Sequence, residues 1–271
     1  MNKHDPSLSD TYRVSLEDAH YKVYAKAIYY PDFVRIYIPN KPFEKIYPGL
    51  EINRKTSPSN QSTQGQYEDD LARSIRRTRK TVKDYVLCNE FELFATFTFK
   101  SDRQDIDKCR KKMANWFKNQ QKIYGKFQYL VVPEFHKDNK SLHFHALISG
   151  YRGKLKQAVN PKTSKILAGI YVFPGYRSGY TTVKIIDKNK DSRTKISLYI
   201  QKYITKNMPL FSNKKRYWSS KNLLLPITEE NPEGWYKYTQ WDDHFMNDYG
   251  TFLDFYYDKH PFAEIFRKAN K

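Results

Sequence analysis

Residues 127–149 read FQYLVVPEF, HKDNKS and LHFHALIS, and this stretch decides the fold. Phe127–Phe135 and Leu142–Ser149 are strand-length runs of apolar, β-branched and aromatic residues. His136–Ser141 between them is short, polar and turn-forming. Such a pair predicts an antiparallel hairpin. Residues i and i+2 of a strand share a face, so His143 and His145 lie side by side while Phe144 points the other way, into a core. Upstream, Phe91–Lys100 (FELFATFTFK) is another strand, with Thr96 and Thr98 on one face and Phe97 and Phe99 on the other. Between the two, Arg103–Tyr124 carries Ile106, Met113, Trp116, Phe117 and Ile123 near helical spacing, with Gly125 placed as a C-terminal cap. Strand, helix, strand, turn, strand is the order of an α+β fold: an antiparallel sheet with flanking helices.

Farther out, Leu71, Ile75, Thr78, Val82 and Tyr85 recur at three- and four-residue steps and predict a helix over Tyr67–Leu87. Its other face carries Arg73, Arg76, Arg77, Arg79, Lys80 and Lys83. An ordinary amphipathic helix is the default reading, and a DNA-contacting helix the other. Residues 55–66 (KTSPSNQSTQGQ) hold no large apolar residue and read as a linker. Val34–Ile38 reads as strand, residues 150–180 as loop plus a short strand, and Thr181–Ile186 as a further strand. Ser192–Asn207 reads as a helix with Ile196, Tyr199, Ile200, Tyr203 and Ile204 on one broad face, ended by Pro209. The expected division is an N-terminal extension and linker (1–66), a catalytic domain (67–225) and a C-terminal extension (226–271). The last is acidic and aromatic, with Trp235, Tyr236, Tyr238 and Trp241.

The chain of 271 residues carries a formal net charge of +19. Residues 91–225 hold 28 basic and 8 acidic side chains, a net of +20, so this segment accounts for the whole excess. A basic domain between near-neutral and acidic flanks points to a polyanionic partner, most simply nucleic acid. The plainer reading is a solvated basic surface. Forty Tyr and Phe side chains (23 and 17) argue against wholesale disorder. No apolar stretch is long enough to span a bilayer, and the N-terminus lacks an apolar signal core. Two cysteines, Cys88 and Cys109, make neither a disulfide framework nor a four-Cys zinc site. A cytoplasmic protein is expected.

Two imidazoles side by side are a ready pair of metal ligands. In the hairpin Glu134 can stand beside them, and a carboxylate completes a mixed N/O site for Mn²⁺ or Mg²⁺. Imidazole nitrogens make manganese the more comfortable ion. His136 is the alternative third ligand. Tyr199–Lys206 reads YIQKYITK, a YxxKYxxK repeat of four. On a helix, Tyr199 and Tyr203 are neighbours one turn apart, and so are Lys202 and Lys206. Tyrosine, with a pKa near 10, needs a cation or a base to act as an oxyanion at neutral pH. A metal-held phosphate and nearby lysine charge supply that setting. The ordinary readings are strand packing for the histidines and an amphipathic helix for the tyrosines.

The three segments Phe94–Phe99 (FATFTF), His143-Phe144-His145 and Tyr199–Lys206 resemble, in order, the motifs of the HUH endonuclease superfamily. The likeness is in particular to rolling-circle replication initiator (Rep) proteins of phages, plasmids and small single-stranded DNA viruses. The resemblance spans about residues 70–225, including SIRRTRKTVKDY and RYWSSKNL, which are similar to segments of Rep proteins from Gram-positive hosts and their phages. A tyrosine motif after the histidine motif distinguishes the chain from conjugative relaxases. Its length and second tyrosine distinguish it from single-strand transposases.

The resemblance implies an RRM-like catalytic domain in which His143, His145 and Glu134 hold a divalent ion. It implies that Tyr203 cuts single-stranded or hairpin origin DNA, leaving a 5′-phosphotyrosine and a free 3′-OH for a host polymerase. Tyr199 is then a candidate second nucleophile for rejoining, or packs only, and Lys202 and Lys206 supply positive charge. No GxxxxGK[ST] pattern occurs, so a host helicase is expected to unwind the template. Rival expectations are a non-catalytic DNA-binding replication or regulatory protein, an HUH-type transposase, and a hydrolytic metal nuclease.

Overall fold

A computed structural model describes residues 20–46, 64–160, 162–187, 190–211, 215–232, 245–247 and 250–257. The expected linker over 55–63 and the tail aromatics Trp235, Tyr236, Tyr238 and Trp241 lie outside the described residues. The chain forms two compact units: Gln61–Leu225, and Met1–Asn60 together with Pro226–Lys271.

In chain order the elements are β1 (His20–Val23), β2 (Lys26–Tyr29), β3 (Phe33–Pro39), β4 (Phe43–Ile46), α1 (Gln64–Cys88), β5 (Leu93–Thr98) and α2 (Ile106–Tyr124). There follow β6 (Gln128–Phe135), β7 (Leu142–Ser149), β8 (Lys156–Val159), β9 (Ile166–Val172), β10 (Thr181–Ile185) and α3 (Lys190–Gln201). The last are β11 (Trp218–Ser219), β12 (Ile227–Glu230), β13 (Phe245–Asn247) and β14 (Gly250–Tyr256).

The unit of residues 61–225 is an antiparallel sheet in the order β11-β6-β7-β5-β10-β9-β8. β5 and β6 both pair with β7, so β5-α2-β6 is a crossover that leaves room for β7 between its two strands. Period-two alternation divides each strand between two cores. Ala95, Phe97, Phe144, Ala146, Ile148 and Val131 face α2, where Met113, Trp116 and Phe117 cover them. Phe94, Leu130, Val132 and Leu147 face the other way, against Val82 and Val86 of α1 and Ile200 of α3. The α+β architecture with flanking helices is therefore as the sequence predicts.

Local chemistry explains the boundaries. α2 starts at Ile106 because Asp105 caps it: its Oδ1 accepts from the Lys108 amide at 3.0 Å. Gly125 ends it at φ 88°, where a side chain would be strained, and its N–H reaches the Gln121 carbonyl. The β6–β7 turn closes on Asp138. That carboxylate accepts from the amides of Lys140 (2.9 Å) and Ser141 (2.8 Å) and from the Ser141 hydroxyl (2.6 Å). The Ser141 hydroxyl and the two amides hold the Asp138 carboxyl well below the usual carboxylate range. The turn thereby sets the hairpin register, with Glu134 opposite His143 and Val132 opposite His145.

Three segments differ from expectation. α1 begins at Gln64, three residues inside the stretch read as linker. Residues 150–180 hold two strands, β8 and β9, paired as a hairpin on the sheet edge. The helix read over Ser192–Asn207 stops at Gln201. From there the amides of Lys202, Tyr203 and Ile204 bond back three residues instead of four, to Tyr199, Ile200 and Gln201. Ile204 is fully buried in the core beneath α1, and its carbonyl accepts from Arg79 Nε at 3.0 Å. That partner replaces the one a continued helix would supply.

The other unit holds an antiparallel sheet in the order β12-β2-β3-β14-β13, with β1 and β4 as a separate pair. Ala27, Tyr29, Val34, Ile36, Leu253 and Phe255 form its core. Arg35 grips Asp254 through two guanidinium nitrogens, across the β3–β14 pairing.

Candidate active site

The site lies on the α1/α3 face of the seven-stranded sheet. β7 offers His143 and His145 there, β6 offers Glu134, and β5 offers Thr96 opposite His145 and Thr98 opposite His143. Imidazole Nε2 of His145 stands 2.7 Å from Glu134 Oε2, and its Nδ1 stands 3.2 Å from the Thr96 hydroxyl. With Glu134 ionised, Nε2 carries the proton and donates to it, and Nδ1 accepts from Thr96. His145 is 5 % exposed. Such burial is tolerable because both ring nitrogens have partners. The exposed His136 follows two residues after Glu134, and its ring centroid is 4.7 Å from that of His143. Burial, and then the neighbouring imidazoles of His136 and His145, push the His143 pKa down, which favours the neutral ring.

The tyrosine segment closes over this cluster. The Tyr203 ring stacks on His145, with centroids 3.8 Å apart and planes 14° apart. Tyr199 meets Tyr203 edge to face at 5.5 Å, and Phe94 at 5.2 Å. His143, His145, Glu134, Tyr203 and Tyr199, all singled out in the sequence, thus share one surface. Burial raises the Tyr203 pKa, and the hydrogen bond to Tyr199 and the Glu134 carboxylate raise it further. Tyr203 is accordingly a neutral phenol at rest, and positive charge beside Glu134 would be needed to favour its phenolate. Lys202 Nζ lies 5.4 Å from the centre of the Tyr199 ring, a cation–π contact. Lys206 pairs instead with Glu68 of α1 at 3.6 Å, both side chains well exposed.

Among the described residues, no three or more His, Cys, Asp or Glu side chains stand in an arrangement ready to hold a metal ion. The donor chemistry fits nonetheless. Two imidazoles and a carboxylate share one face of two paired strands, a set suited to a divalent ion with open positions for other oxygens. Binding through Nε2 of His145 would replace the proton now shared with Glu134 and shift the ring proton to Nδ1, where Thr96 can accept it. Thr96 and Arg79 escaped a residue-by-residue reading. Thr96 signals itself only as the polar member of an apolar strand on the histidine face. Arg79 is one of six cations on α1, and nothing local singles it out.

Among the described residues no helix is long and apolar enough to cross a membrane. No curated protein and no solved structure matches the chain significantly. Residues 92–208 match a family model of replication-associated proteins of the ORF2 type. The segment carrying the histidine pair, Glu134 and both tyrosines is thus similar to replication-associated proteins, a likeness consistent with the rolling-circle Rep type.

Proposed function

We propose that this protein initiates rolling-circle replication by nicking single-stranded origin DNA through Tyr203, and rejoins the released strand. The observation that supports it best is the sandwich at His145: Glu134 at 2.7 Å on one nitrogen and the Tyr203 ring stacked at 3.8 Å. A nucleophile and a phosphate-activating group must stand this close to act on one phosphorus.

His143, His145 and Glu134 would hold a divalent ion, Mn²⁺ or Mg²⁺. When bound, such an ion supplies Lewis-acid polarisation of the scissile phosphate. Tyr203 gives up its hydroxyl proton and its oxygen attacks phosphorus in line. The 3′ oxygen leaves and takes a proton. The products are a 5′-phosphotyrosine and a free 3′-OH. The reverse attack, by a 3′-OH on the phosphotyrosine, reseals the strand without other energy input. Tyr199, hydrogen-bonded to Tyr203, is positioned to receive its proton or to make a second cut. Lys202 beside Tyr199 favours negative charge on either oxygen. The basic segment of +20 holds the strand by its phosphates. In the host cytoplasm the 3′ end would feed a host polymerase, behind a host helicase.

Incubation with origin-bearing single-stranded DNA and Mn²⁺ should give a covalent protein–DNA band on a denaturing gel. No adduct with any divalent ion overturns the tyrosine mechanism. Cleavage without adduct indicates hydrolysis by water. An adduct retained in Tyr203→Phe and lost in Tyr199→Phe moves the first nucleophile to Tyr199.

A further inference from the structure

A cleft of about 340 Å³ opens on the same sheet face, between the end of β10 and α3. It shares a wall with the site, because Phe94 lines the cleft while its ring stacks on His145 at 5.8 Å and meets Tyr199 at 5.2 Å. Tyr199 lines it too and is 40 % exposed. Ile185, also in the lining, is 59 % exposed. Large apolar side chains left bare inside a concave site, on a unit this basic, indicate a ligand with an apolar face and negative charge. Two exposed lysines of the lining, Lys184 and Lys195, supply the matching charge, and the exposed Asp187 offers an acceptor for N–H groups.

We propose that this cleft receives one unpaired base of the DNA strand, in the nucleotide next to the phosphate that the tyrosines attack. The proposal rests on the nicking reading above and adds to it where the strand is gripped. Base faces stack on apolar and aromatic surface, while phosphates meet lysines. The volume is at the small end of ligand pockets, which suits one nucleotide and excludes a duplex. Seating a base there holds the neighbouring phosphate close to Tyr199 and Tyr203 and restricts its motion before reaction.

The test measures binding of the full chain without metal, so that no chemistry intervenes. The probes are fluorescein-labelled dT12 and a 12-mer of abasic residues with the same phosphates. Ile185→Thr keeps a strand-compatible, β-branched side chain and removes apolar surface. It should weaken dT12 binding about fivefold, as expected for partial loss of one stacking contact, and leave the abasic probe within twofold. Lys195→Gln should weaken both probes alike. Equal effects of Ile185→Thr on both probes, or none on either, overturn the proposal.

A second measurement needs no variant. An oligonucleotide with single 5-iodouracil substitutions should photo-crosslink to peptides containing Ile185 or Tyr199, and crosslinks mapping only elsewhere overturn it. If the cleft results hold and no tyrosine adduct ever forms, the nicking reading falls alone. If adduct forms and base dependence is unchanged by Ile185→Thr, the cleft proposal falls alone.

Discussion

The two faces of the seven-stranded sheet are made by the same strands and solve opposite problems. Under α2, Phe97 touches Trp116, Phe117, Phe173 and Tyr176 in a dry aromatic cluster. Each ring removes a large area from water and fixes its neighbours' angles. On the α1/α3 face the apolar layer of Leu130, Val132 and Leu147 gives way along the strands to Glu134, His143, His145, Thr96 and Thr98. There the stacked ring of Tyr203 and the hydrogen bonds of His145 replace close packing. The first face makes the sheet rigid. The second uses that rigidity to hold polar groups that would not gather by themselves.

The sharpest way to break the comparison is to show that the polar face matters to folding as much as the aromatic one. Tyr203→Phe should cut adduct formation at least about 10³-fold, the scale of losing a nucleophile, with thermal unfolding nearly unchanged. Phe97→Ala should do the reverse. It should cost about 3–5 kcal/mol of stability in denaturant titration, the usual range for a buried aromatic, and lose activity only as the fold is lost. Thr96→Val keeps the shape at His145 and removes its hydroxyl. Adduct formation and Mn²⁺ affinity should fall about 10-fold, the lower end for a residue that orients a ligand. A Thr96→Ser variant should recover most of both, and unfolding should move little.

Two smaller effects sharpen it further. Burial pushes the thiols of Cys88 and Cys109 up to about 12. Both should resist iodoacetamide at pH 8 in the native protein and react at once in denaturant, read by mass spectrometry. Asp138→Asn should lower the melting temperature by loosening the turn that sets the histidine register. The folded Asp138 pKa is depressed, so its contribution is present above the unfolded value near 3.9. It is lost as pH falls through the folded value. The gap in melting temperature between wild type and variant should therefore be full at pH 6 and shrink below about pH 4.

Much of the site was legible because it rests on short-range rules. The i, i+2 relation puts His143 and His145 on one face, and a six-residue turn brings Glu134 opposite them. Asp105 and Gly125 bound α2 by the chemistry of their own backbone positions. The end of α3 was not legible, because its periodicity runs on past Gln201. What ends it is the pull of Ile204 into the core under α1 and of its carbonyl onto Arg79, 125 residues away in sequence. The roles of Thr96 and Phe94 were hidden for the same reason: their partners, His145 and Tyr199, are distant in the chain.

By itself the sequence determined the α+β order, the hairpin, the shared face of the two histidines and the concentration of positive charge in residues 91–225. Each of these follows from backbone period, turn chemistry or simple counting. Only the tertiary structure decided that Tyr203 stacks on His145, that Lys206 turns to Glu68, and that a cleft opens beside Tyr199. It alone paired β3 with β14, from Phe33–Tyr256 to Pro39–Gly250, into one sheet. Contacts of that separation depend on which surfaces are left to bury once the local elements have formed, and no local pattern encodes that choice.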